Sequence, residues 1–105
     1  MVILSTKLRN AIVRYNPKGN YEFKLLNINR NYNKRGCSGF ITNKDNGLII
    51  YVNTERCVGY YDRMMFRYAK STKDYVGSIN RWVNNLPELV SEICGCLEQN
   101  REVRL

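Results

Sequence analysis

Apolar and polar positions alternate with two different periods along this chain, and the change of period marks its elements. Leu8, Ala11, Ile12 and Tyr15 fall at i, i+3, i+4 and i+7, the stripe of a short amphipathic helix, with Ser5 as its expected N-cap. Asn16, Pro17 and Gly19 end it. Tyr21, Phe23 and Leu25 then alternate with Glu22 and Lys24, which predicts a strand over 21–28. The run 29–36, NRNYNKRG, is polar, basic and free of aliphatic residues, and reads as an exposed loop. Two further strands are expected over 37–42 and 48–52. Gly47 closes the turn between them, and if Thr42 is set opposite Leu48, Cys37 lies opposite Asn53.

Beyond Asn53 the pattern weakens. Residues 60–69 are a strand candidate whose Met64-Met65-Phe66 centre suits either period, and 71–83 reads as irregular. The last helix is clear. Asn85 is its N-cap with Glu88 three residues on, Pro87 lies in the first turn, and Leu86, Leu89, Val90, Ile93, Cys94 and Leu97 form one stripe. The sum is a single α+β domain over residues 1–105: a short N-terminal helix, three or four antiparallel strands including a central hairpin, and a C-terminal helix packed on the sheet.

Charge adds a statement about partners. Eight basic groups in residues 1–36 face only Glu22, a local balance of +7, whereas the last twenty residues balance at −2. One positive face and one mildly acidic helix are expected, a field that attracts polyanions or an acidic protein surface. Within that face Arg30, Tyr32, Lys34 and Arg35 mix charge with an aromatic ring, and Arg63, Arg67 and Lys70 extend it, together the candidate partner-binding set. No helix-turn-helix spacing, RNP aromatic pair or GXXG clamp is present, so direct base readout is not expected.

The four cysteines carry the other candidate chemistry. No apolar run approaches the roughly 20 residues that cross a bilayer, and the first residues do not read as a secretion signal, so a reducing cytoplasm is expected. There Cys37, Cys57, Cys94 and Cys96 are either zinc ligands or plain thiols, Cys94 being also a core position. Side chains two apart on an unbroken helix point about 200° apart. Cys94 and Cys96 can therefore share an ion only if the helix ends or distorts near Gly95. Catalysis is poorly provided for: histidine is absent, and so are a phosphate-binding loop, a nucleophile elbow and a paired-carboxylate motif, so a non-enzyme is expected.

Abundant Asn, Lys, Tyr and Ile with scarce Pro and no His point to an AT-rich coding sequence, that of a low-GC bacterium or its phage. In its whole-chain character, with segments such as LIIYVNTE (48–55) and FRYAKSTKDYVGSINRW (66–82), the chain resembles the small phage-encoded anti-CRISPR proteins. The resemblance implies a non-enzymatic inhibitor in the bacterial host cytoplasm that binds a type II CRISPR effector nuclease and blocks nucleic-acid loading or cleavage. It carries over no site residues. Many such inhibitors are acidic mimics of nucleic acid, and a chain of net charge +8 departs from that pattern. A basic inhibitor would grip an acidic or mixed protein lobe through Arg and Tyr anchors, or clamp the guide RNA. The alternative is a small basic nucleic-acid-binding accessory protein of a phage or mobile element.

Overall fold

The computed structural model describes residues 4–29, 35–54, 57–58, 61–62, 64–76 and 79–99; for Leu4, Ile28, Asn29, Arg35, Cys57, Val58, Tyr61 and Asp62 it describes the backbone alone. Helix α1 spans Leu4–Tyr15 and buries Leu8 and Ile12 completely, the two residues one turn apart on its apolar stripe. Ser5 lies inside the helix rather than capping it, and Tyr15 is exposed. The stop falls as expected, with the Asn16 amide still reaching Ile12 O (2.9 Å) and the Gly19 amide turning back to Asn16 O (3.1 Å).

Strands β1 (Tyr21–Asn29), β2 (Arg35–Asn43), β3 (Ile49–Asn53), β6 (Met64–Ala69) and β7 (Arg81–Val83) form one antiparallel sheet in the order β1-β2-β3-β6-β7. Between β3 and β6 the chain makes a separate two-stranded ladder, β4 (Cys57–Val58) with β5 (Tyr61–Asp62). The fold is α+β, with five strands in the main sheet rather than three or four. Pairing on both sides settles 64–69 as strand, and β7 occupies the end of the stretch read as irregular. Of the expected 29–36 loop, Asn29 closes β1 while Arg35 and Gly36 open β2. Residues 30–34 lie outside the described residues.

The central hairpin forms, one residue out of the expected register: Thr42 faces Ile49, and Ser38 faces Asn53. Cys37 therefore lies beside Thr54, whose amide donates to Cys37 O at 3.0 Å. The turn sets this register. Asn43 N donates to Leu48 O and Gly47 N to Asn43 O, both at 2.8 Å, with Gly47 at φ +79°. The amides of Asp45 and Leu48 are taken up by Asn43 Oδ1 (3.0 Å) and Asn46 Oδ1 (2.9 Å). The other ends of the same two side chains reach across the molecule: Asn43 Nδ2 (2.8 Å) and Asn46 Nδ2 (2.9 Å) both donate to Leu97 O. That carbonyl is among those a helix leaves without an intrahelical partner, so the turn caps the end of the C-terminal helix, α2 (Leu86–Leu97).

Helix α2 (Leu86–Leu97) begins as expected, Asn85 Oδ1 accepting from Glu88 N at 2.8 Å. It buries Leu89, Val90, Ile93, Cys94, Cys96 and Leu97. Both helices cover the same sheet face, α1 over β1 and β2, α2 over β3 and β6, and they pack on each other. Ile41, Ile50, Val52 and Phe66 fill the space between. Burying a side chain of this size stabilises the fold by about 1.5–3 kcal/mol.

Gly39 is closely packed against the neighbouring strand. At φ +150°, opposite Leu25, it leaves so little room that a Cβ would lie 2.1 Å from Lys24 O. Backbone cannot yield as a side-chain tip does. Gly39→Ala is expected to cost at least about 2 kcal/mol, read as a lower urea midpoint at unchanged m-value.

Candidate protein-interaction surface

Strand β6 buries residues on both faces: Met65, Phe66 and Arg67 in succession, then Ala69. Phe66 faces the helices. Met65, Arg67 and Ala69 belong to the opposite face, where register aligns Lys24, Phe40, Tyr51 and Arg67 across four strands. Phe40, Tyr51, Met65 and Ala69 form a second, smaller core there. No helix covers it. The cover is the segment after β6, which folds back over the sheet.

Arg67 holds that segment. Its side chain, expected on the exposed basic surface, is only 2 % accessible. Nη2 donates to Asp74 O at 2.7 Å and Nη1 to Tyr68 O at 3.3 Å, while Nη1 lies 3.8 Å from the Asp74 carboxylate. The guanidinium also stacks over the Tyr51 ring, 4.6 Å from its centroid. A buried cation needs its donors directed at acceptors, and the returning backbone supplies the shortest of them here. Asp74 completes the clasp: Oδ2 accepts from Lys70 N at 2.9 Å, and its amide reaches Ser71 O at 3.3 Å. The next residue, Tyr75, sets its ring edge-on against Phe40 (5.3 Å) and Tyr51 (6.0 Å).

Apolar side chains in the clasp and beyond it face outward. Tyr75 is 68 % exposed, Val76 94 % and Ile79 84 %, with Lys70 and Lys73 exposed beside them. Trp82 in β7 is partly exposed on the same sheet face, in the register row of Met65. Of these, Tyr75 stands on a backbone held by its own amide, which donates to Lys73 O at 3.1 Å, the form that binding anchors take.

Of the other expected partner-binding residues, Lys70 belongs to this surface. Arg30, Tyr32, Lys34 and Arg63 lie outside the described residues, as does the side chain of Arg35. The described cations do not gather on one face: Lys7, Arg9 and Arg14 are exposed on α1, and Lys24 on the opposite side of the sheet. The acidic helix is as expected, Glu88 and Glu92 being exposed on α2.

Helix α2 runs unbroken through Gly95, so the condition for Cys94 and Cys96 to share an ion is not met. Their surroundings differ accordingly. Cys96 Sγ accepts from Arg81 Nη1 at 3.5 Å, on the β7 side. Cys94 lies toward Glu98 and Tyr21, where Tyr21 Oη donates to Glu98 Oε1 and Asn16 Nδ2 contacts both (2.8 and 3.0 Å). Cys37 is buried against the helix-side core, and the side chain of Cys57 is outside the described residues. Among the described residues no cluster of three or more Cys, Asp or Glu is placed to hold a metal ion. No protein-family model, curated protein or solved structure matches this chain.

Burial, and then the charge of Glu98, push the Cys94 thiol from its ordinary value of 9.0 up to about 11. Burial and the hydrogen bond to Glu98 likewise raise Tyr21. Both favour the neutral form, so the unfolded chain ionises first. Their stabilisation is complete below about pH 9 and lost as pH rises toward 11 and beyond. Urea midpoints are expected to fall over that window, and to fall less in Cys94→Ala.

Removing the Arg67 side chain takes from the Asp74 carbonyl its 2.7 Å donor and opens a hole beside the second core. Arg67→Ala is expected to destabilise the protein by about 3 kcal/mol. Amides in 70–76 should gain hydrogen-exchange rate well before those of β3 if the clasp is what orders them.

Proposed function

We propose that this chain works by stoichiometric binding to another protein, and that the contact is made by the clasped segment carrying Lys70, Lys73, Tyr75 and Val76, together with exposed Ile79. The observation that carries the reading is the buried Arg67 beneath outward-facing apolar side chains. Burial of a cation is costly, and the segment it orders spends that order on presenting hydrophobic surface to water. Such an arrangement is explained when a partner covers it. Lysines beside the apolar side chains, on a chain of net charge +8, fit a partner whose apolar pocket is rimmed by carboxylates. Binding of this kind requires no turnover.

The resemblance to anti-CRISPR proteins names the partner class: a type II CRISPR effector nuclease, whose guide or target loading the bound protein would obstruct in the host cytoplasm. Basic composition makes a protein lobe the better target than mimicry of nucleic acid. Added before DNA loading, the protein is expected to suppress cleavage by a susceptible effector, and added after loading to suppress it less. The double variant Val76→Asp/Ile79→Asp should weaken inhibition by about tenfold or more while the fold is retained. Undiminished cleavage across a panel of type II effectors would remove the inhibitor assignment. A gel shift of RNA or DNA that disappears steeply with salt would transfer the function to nucleic-acid binding.

A further inference from the structure

Strand β1 is an edge of the main sheet, paired among the described residues with β2 alone. The direction of its free hydrogen-bonding groups follows from the ladder. Lys44 N donates to Asn20 O at 2.9 Å across an opposed pair, so bonded pairs toward β2 recur at every second residue, 22, 24 and 26 among them. The other side of β2 agrees, since Asn43 and Cys37, both odd, bond toward β3. Tyr21, Phe23, Leu25 and Asn27 therefore direct their N–H and C=O groups away from the sheet. A nine-residue strand without proline, showing a row of open donors and acceptors, is a template for another strand.

A lone lysine on an edge deters such pairing. Here Lys24 comes with Glu22, two residues away on the same exposed face, and the pair selects a partner and a register. We propose that two copies of this chain join antiparallel through β1 about a two-fold axis at Phe23, making one continuous sheet. Phe23 then faces Phe23 of the second copy in a hydrogen-bonded pair, and Tyr21 faces Leu25. Glu22 faces Lys24 twice, in the non-bonded positions where cross-strand side chains approach most closely. Moving the axis one residue back opposes Glu22 to Glu22, and one residue forward opposes Lys24 to Lys24. Placing it at Leu25 sets Lys24 against Leu26. Of these registers, only the axis at Phe23 satisfies both charges. The half-buried rings of Tyr21 and Phe23, edge-to-face at 6.4 Å, gain cover from the second copy in the same step.

Sedimentation velocity on the full chain, at an ionic strength that screens the repulsion between two +8 molecules, tests this. A concentration-dependent species of twice 12.4 kDa is expected. Glu22→Lys and Lys24→Glu should each weaken it by about tenfold, since each turns two attractive pairs repulsive. The charge swap E22K/K24E should restore it. Both positions are exposed, and circular dichroism of the variants checks that the fold is unchanged. A chain that stays monomeric up to roughly millimolar concentration overturns the proposal. So does a dimer indifferent to the single substitutions, or one the double swap fails to rescue.

Discussion

A guanidinium placed in the middle of a sheet face cannot be left without partners, and the second half of this molecule is arranged around that requirement. Arg67 sits between Met65 and Ala69 on β6, beneath Tyr51 of the neighbouring strand. Water is excluded there, so its donors take main-chain carbonyls, one local and one from Asp74. The chain must return over the sheet to bring that second carbonyl into place. Tyr75 is then delivered onto Phe40 and Tyr51, and a face without a helix acquires a core of its own.

The helix-covered face is held by another long-range device. Asn43 and Asn46 each shape the β2–β3 turn with the side-chain oxygen and cap α2 with the side-chain nitrogen. One carbonyl, Leu97 O, thereby couples the register of a hairpin to the position of a helix more than fifty residues away. Tyr21, Asn16 and Glu98 make a second tie at the same end of α2. Stability of this layer rests on apolar burial; these polar links decide which of several apolar arrangements is formed.

What could be read from the sequence divides along the same line. Both helices, β1, the hairpin and the Asn85 cap follow from local periods and local chemistry, and all appear. The register slipped by one because the turn is shaped by asparagines whose outer ends answer to Leu97, a contact no local pattern encodes. Strand β7, only Arg81–Val83, is too short to show a period. Arg67 reads as surface for a similar reason: it stands in a segment rich in Arg, Lys and Tyr, and its closest acceptor is supplied seven residues later. Two signals did point inward. Residues 48–52 are apolar without alternation, the mark of a strand covered on both sides, and Arg67 shares its parity with Met65 and Ala69. That α2 continues through Gly95 was beyond reach of spacing alone; given that path, the separate surroundings of its two thiols follow.

Trp82 is the single tryptophan of the chain, and β7 carries it on the sheet face that the clasp covers. Its indole is neither sealed in the helix-side core nor fully in water. The protein thus contains its own optical reporter on that side: whatever comes to rest there changes the polarity around one chromophore, and emission can be followed without attaching a label.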